Sequence, residues 1–186
     1  MSSSVLTVAN QLTLLRLLLI PVFALCLLYN FCGWALVVFL VAGVTDALDG
    51  LIARWTQQPT TLGAWLDPMA DKLLLITTFV MLTLPDLGLT NRLPLWLTVL
   101  VISRDIGIVL TVTVFNLAIA RRTFRPSIFG KAATAIYIIT GAVTLLFNYL
   151  RQPSVIITIC VYTALVITIV SAVDYLVRVF RAERAG

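Results

Sequence analysis

Histidine is absent from this 186-residue sequence. Its absence excludes the Ser–His–Asp triad, the H-E-x-x-H zinc motif and imidazole acid–base chemistry. Catalysis here must rest on carboxylates, arginine, lysine or a hard metal ion. Cysteine is scarce: Cys26, Cys32 and Cys160 lie in apolar stretches without C-x-x-C spacing. They read as small core residues, and no oxidising compartment follows from them. Charge is scarce too. Only 11% of residues are charged, against roughly a quarter in soluble domains. That excludes disorder, a nucleic-acid-binding tail and a small secreted scaffold.

What is present is apolar: 61% of residues are hydrophobic and the mean hydropathy is +1.07. So much apolar surface has too few charges to cover it in water, so lipid is the expected solvent for most of the chain. The apolar runs are continuous rather than alternating, which favours helices over strands. Six spans are expected, at about 12–31, 34–54, 64–84, 94–120, 130–149 and 154–180, each able to supply the roughly 20 residues that cross a hydrocarbon core. Ser2 to Gln11 reads as a short interfacial lead-in, and no cleaved signal peptide is expected. Gly, Pro, Asn and Gln mark the connections. The reading is thus an all-α integral membrane protein with six transmembrane helices, forming one domain over 1–186.

The basic residues give an orientation. Arg54, Arg121, Arg122, Arg125, Lys131, Arg178, Arg181 and Arg184 fall on one side, and only Arg92 and Arg151 on the other. The positive-inside rule places both termini in the cytoplasm. The net charge of +5 then reads as topology and attraction to anionic lipid head groups, with no nucleic-acid partner.

Six of the eight acidic residues fall in or at the ends of apolar spans: Asp46, Asp49, Asp67, Asp71, Asp105 and Asp174. An ionisable group inside a membrane is expensive, so each is a candidate for function. Asp46 and Asp49 are three apart, and Asp67 and Asp71 four apart, so each pair shares a helix face. An antiparallel hairpin of the second and third spans would gather the four carboxylates at the cytoplasmic side. Hard divalent cations relieve the repulsion there. Oxygen-only ligands point to Mg²⁺, Mn²⁺ or Ca²⁺, and two ions suit displacement at phosphorus. The bland alternative is that these residues cap helices or pair with Arg54 and Lys72. Gly43, Asp46, Gly50 and Ala53 form a stripe of small residues around the cluster. Gly50 permits close approach of a backbone or ligand, and Arg54 lies one turn beyond it, placed to clamp a phosphate.

The run Asp46-x2-Asp49-Gly50-x2-Ala53-Arg54-x8-Gly63-x3-Asp67-x3-Asp71 resembles the signature of the CDP-alcohol phosphotransferase family at all eight fixed positions, over 26 residues. The resemblance implies a six-helix membrane enzyme, usually a homodimer, that moves a phosphoalcohol unit from a CDP-alcohol to a second alcohol and releases CMP. It implies that Asp46, Asp49, Asp67 and Asp71 bind two divalent cations, Mg²⁺ or Mn²⁺, and that Asp71 is also the general base. It further implies that Asp49, Gly50, Arg54 and Gly63 serve the CDP moiety, with Gly63 shaping the turn before the third helix. The absence of a transit-like segment makes a bacterial cytoplasmic membrane the simplest location.

The run Trp65-Leu66-Asp67-Pro68-Met69-Ala70-Asp71-Lys72 resembles the glycerol-lipid branch, as does Asn10-x-Leu12-Thr13-x2-Arg16 with Pro21. Ile102-Ser103-Arg104-Asp105 and Gly130-Lys131 with Thr134 resemble further elements of it. That branch uses CDP-diacylglycerol as donor, and glycerol 3-phosphate or phosphatidylglycerol as acceptor. Arg104, Arg125 and Lys131 are the candidates for the acceptor phosphate, and Asn10, Thr13, Lys72 and Asp105 for lining the site. Asp105, and Gly107-Ile108-Val109-Leu110 after it, are closer to the cardiolipin-forming members. The overall pattern favours glycerol 3-phosphate. A cation transporter or channel would also use intramembrane carboxylates, but it leaves the Asp-Gly-x2-Ala-Arg element unexplained. A purely structural membrane protein does not account for the cost of six buried acids.

Overall fold

A computed structural model describes residues 8–56, 61–118 and 127–184. Within these, the side chains of residues 8–10, 47–56, 61–69, 71, 111–118 and 179–184 lie outside the description. The described residues form six α-helices and one short 3₁₀ turn: α1 (Val8–Leu28), α2 (Cys32–Thr56), α3 (Thr61–Thr83), the 3₁₀ turn (Pro85–Leu87), α4 (Leu95–Ala118), α5 (Ile128–Tyr149) and α6 (Val155–Arg184). There are no strands among them. Several helices run past the apolar stretches that announced them. α1 starts at Val8, inside the expected lead-in, and α3 starts at Thr61 rather than Ala64. A backbone hydrogen-bond ladder needs no apolar side chain, so polar residues extend it beyond the lipid-facing run. Gly63 therefore sits inside the first turn of α3, not in a turn ahead of it.

The chain divides into two compact units: residues 1–92 with 141–153, and residues 93–140 with 154–186. α5 contributes its first part to the second unit and its last part to the first.

In the first unit, α1 packs on both α2 and α3. Thr13, Arg16, Phe23 and Leu27 are its buried positions, spaced to lie on one stripe. Pro21 sits inside α1 without ending it, as membrane helices tolerate. Phe23 meets Phe39 of α2 with ring centroids 6.1 Å apart. The two helix ends of this unit close in the same way. Asn30, at φ 60°, and Arg151, at φ 52°, both take the left-handed conformation. Phe31 N–H then returns to Cys26 C=O at 2.7 Å, and Gln152 N–H to Phe147 C=O at 3.1 Å. These are Schellman caps, which satisfy carbonyls that a helix end leaves unpaired. The polar connection after α3 is tied down by Asn91. Its N–H donates to Asn148 Oδ1 at 2.8 Å, Asn148 Nδ2 donates back to Asn91 C=O at 3.0 Å, and Asn91 Nδ2 donates to Gln152 C=O at 2.8 Å. Gly141 marks a close approach of α5: a Cβ there would lie 3.1 Å from Thr78 Cγ2 and 3.4 Å from Phe39 Cζ. Among the described residues, a Cβ at Gly43 would meet nothing within 4 Å.

In the second unit α4 packs on α6. The buried stripe of α6 is Ile157, Val161, Ala164, Thr168 and Ser171. Thr168 gives its hydroxyl proton to Ala164 C=O at 2.5 Å and receives one from Tyr137 of α5 at 2.6 Å.

The polarity is inverted relative to a water-soluble helix bundle. Thr13, Arg16, Thr78, Thr98, Thr140, Thr144, Asn148, Thr168 and Ser171 are buried, whereas Leu18, Trp34, Leu95, Val155 and many other large apolar side chains are exposed. Thr78, Thr140 and Thr168 each return their hydroxyl to the carbonyl four residues earlier. This satisfies the hydroxyl where water is absent. Among the described residues, α1 (from Gln11), α5 and α6 (to Arg178) are long and apolar enough to cross a membrane. α2 and α3 contribute shorter apolar stretches, Cys32–Asp46 and Lys72–Thr83. The three cysteines are free and half-buried rather than fully in the core.

Candidate active site

The signature residues lie on two consecutive helices. Asp46, Asp49, Gly50, Ala53 and Arg54 are on α2, and Gly63, Asp67 and Asp71 are on α3. Helical backbone at these positions puts Asp46 and Asp49 about one turn apart, and likewise Asp67 and Asp71. The side chains of Asp49, Gly50, Arg54, Gly63, Asp67 and Asp71 lie outside the described residues. Among the described residues no cluster of three or more acidic, His or Cys side chains occurs.

Asp46 is described, and it makes an ion pair with a residue outside the signature. Arg16 of α1 reaches it, with Nη1 2.7 Å from Oδ1. The Arg16 side chain is 0% exposed while that of Asp46 is 41% exposed. The guanidinium therefore approaches from the protein interior, and the carboxylate remains accessible on its other side. A fully enclosed cation needs a paired anion to be tolerable. Arg16 was visible in the sequence as part of the Asn10–Arg16 element, but nothing in its spacing named Asp46 as its partner. Thr13, one turn earlier, is buried on the same stripe, and Asn10 lies in the first turns of α1. Lys72 is half-buried on α3.

The second unit holds another arginine–carboxylate group. Arg104 of α4 has a side chain 9% exposed, with Nη1 2.6 Å from Asp105 Oδ1. Its Nη2 donates to the Ser171 hydroxyl of α6. Gly130 of α5 borders the same guanidinium: a Cβ there would lie 3.4 Å from Nη2. Arg104 Nε is buried without a hydrogen-bond partner. Ser171 carried no signal in the sequence, since a lone serine in an apolar run reads as helix packing. Lys131 follows Gly130 and is exposed, and Arg125 lies outside the described residues. Asp174, for which the sequence suggested no role, accepts from Arg178 Nε at 2.9 Å within α6 and from the Ser127 hydroxyl.

Oxygen-only ligands on α2 and α3 suit hard divalent cations better than zinc or copper.

Comparison with known proteins bears directly on this arrangement. The family model described as CDP-alcohol phosphatidyltransferase matches residues 6–173. A protein named probable phosphatidylglycerophosphate synthase from Mycobacterium tuberculosis is 36% identical over 183 residues, covering 93% of this chain and 81% of that protein. The CMP-forming cardiolipin synthase of Homo sapiens is 36% identical over 162 residues, covering 77% of this chain and 52% of that protein. The CMP-forming cardiolipin synthase of Streptomyces coelicolor is 37% identical over 139 residues, covering 70% and 60%. The match runs through all six helices and both arginine–carboxylate groups: the chain belongs to the CDP-alcohol phosphatidyltransferase family and is a membrane phosphatidyltransferase of phospholipid synthesis.

Proposed function

We propose that this enzyme transfers the phosphatidyl group of CDP-diacylglycerol to a hydroxyl of glycerol 3-phosphate and releases CMP. The observation that carries the reading is the complete eight-position signature on α2 and α3. The full-length similarity to a protein named as a phosphatidylglycerophosphate synthase supports the acceptor. The acceptor oxygen attacks the phosphorus that bears diacylglycerol. The anhydride bond to CMP breaks, and CMP leaves with the electron pair. Asp71 takes the proton of the acceptor hydroxyl as general base. Asp46, Asp49, Asp67 and Asp71 hold two divalent cations, Mg²⁺ or Mn²⁺, which when bound neutralise charge on the anhydride and the leaving phosphate. Gly50 and Gly63 admit the CDP moiety, and Arg54 with Asp49 engages it. Arg104, Lys131 and Arg125 take the acceptor phosphate. The buried, unpartnered Nε of Arg104 supports this assignment, because an anion would complete its hydrogen bonding. Asn10, Thr13, Lys72 and Asp105 line the site.

In this reading all six helices span the membrane as one domain, with both termini and the carboxylates on the cytoplasmic side. The asymmetry of the basic residues supports that orientation. The membrane is the bacterial cytoplasmic membrane, and the enzyme is a homodimer.

A second reading keeps the chemistry and takes phosphatidylglycerol as acceptor. Asp105 with Gly107–Leu110 favours it, as do the relatives named cardiolipin synthase.

The test is CMP release by purified protein given CDP-diacylglycerol, Mg²⁺ and one acceptor at a time. Release with glycerol 3-phosphate alone is expected. Release with phosphatidylglycerol alone would establish the second reading, and release with neither would overturn both. Asp71→Asn should cut the rate by about 10²–10⁴-fold, the usual contribution of a positioned general base. A near-normal rate in that variant would remove Asp71 from the role.

A further inference from the structure

We propose that Arg16 is a positioning residue that orients Asp46 within the metal-binding carboxylates, an inference that rests on the reading of Asp46 as a metal ligand. The two residues sit on different helices, α1 and α2. Their contact of 2.7 Å joins a guanidinium with no exposure to a carboxylate that is 41% exposed. Burying the whole arginine side chain is costly, and an exposed arginine would offset the aspartate charge without that cost. What the buried arrangement adds is geometry. A planar guanidinium enclosed by packing has few orientations left, so the positive charge beside Asp46 is fixed in place. Asp46 is steadied from below as well. Thr45, the residue before it, is buried and donates its hydroxyl to Ala42 C=O at 2.8 Å. One oxygen of Asp46 is thus in ion-pair contact with a cation inside the protein, while the side chain keeps an exposed face. α1, which carries no signature residue, thereby takes part in the geometry of the site.

Three roles for Arg16 make different predictions. A positioning residue, when removed, weakens metal binding, because a ligand that has lost its outer partner no longer points the right way. Such losses are about 10–100-fold in affinity or activity. A simple counter-charge, when removed, tightens metal binding, because a repelling cation has left. A purely structural arginine, when removed, lowers thermal stability and leaves metal affinity alone.

The experiment uses full-length protein in detergent micelles, as wild type, Arg16→Gln, Arg16→Lys and Asp46→Asn, with the double variant Arg16→Lys/Asp46→Asn. Mn²⁺ binding is read by electron paramagnetic resonance in the absence of substrate, alongside CMP release as a function of Mg²⁺. Arg16→Gln should raise the Mn²⁺ dissociation constant at least about tenfold, with the KM for the acceptor unchanged. Arg16→Lys, which keeps the charge and loses the fork, should fall between wild type and Arg16→Gln. In the Asp46→Asn background the lysine substitution should have no further effect on Mn²⁺. Unchanged or tighter Mn²⁺ binding in the single variants overturns the proposal, as does a full additive effect in the double variant. If Arg16→Gln does not fold, Arg16→Lys and the double variant decide the matter. Failure of the functional reading would show differently: wild type would release no CMP with any acceptor, while the Mn²⁺ measurements would still report on Arg16.

Discussion

Arg16 and Arg104 are both buried arginines beside an aspartate in apolar helices, yet they are held in opposite ways. Arg104 finds its carboxylate on the next residue, Asp105, and tertiary structure adds the Ser171 hydroxyl. Arg16 finds its carboxylate on a different helix, and that carboxylate belongs to the family signature. The first pair is in place wherever α4 forms. The second exists only when α1 packs on α2. A local pair neutralises a charge cheaply, whereas a long-range pair also ties two helices to each other.

The largest expected effect separates the two pairs directly. Asp46→Ala breaks the ion pair that ties the enclosed Arg16 to α2 and should cost about 3 kcal/mol, read as a lowered midpoint in SDS titration. Asp105→Ala leaves Arg104 the Ser171 oxygen and should cost about 2 kcal/mol, the scale of a hydrogen bond to a charged group. Equal losses would erase the distinction.

A smaller effect sharpens the picture of Arg104. Ser171→Ala should cost about 1 kcal/mol. If Arg104 takes the acceptor phosphate, the same variant should also raise the KM for glycerol 3-phosphate while leaving the dependence on CDP-diacylglycerol untouched. A shift in both substrates would point to general loosening of the second unit instead. The smallest effect belongs to the third pair, Arg178–Asp174, which lies one turn apart near the end of α6. Asp174→Asn should leave the SDS midpoint within error, because exposed i,i+4 pairs contribute little. A clear loss would mean that the Ser127 contact carries more than the ion pair.

Much of the fold was legible in the chain because its signals are local. Continuous apolar runs announced six helical spans; the described residues form six helices, with ends displaced by a few residues, and three of them are long and apolar enough to cross a membrane. Those displacements concentrate where polar residues continue the ladder, as at Thr61 and Gly63. The Schellman caps at Asn30 and Arg151 were harder to see. Glycine is the usual marker of a left-handed helix end, and an asparagine and an arginine hold those positions here. The tie between Asn91 and Asn148 was not legible either, since two asparagines so far apart carry no mark of their pairing.

The candidate site divides along the same line. The spacing of the signature was enough to identify the family and its phosphatidyltransferase activity, because functional groups and helical periodicity are properties of the sequence itself. Only the tertiary structure decided that Asp46 meets Arg16 of α1, and that Ser171 of α6 meets Arg104. The reason is physical. A buried guanidinium takes whichever carboxylate or hydroxyl the packing of a neighbouring helix presents, and helix packing depends on the shape of whole faces rather than on any local run of residues.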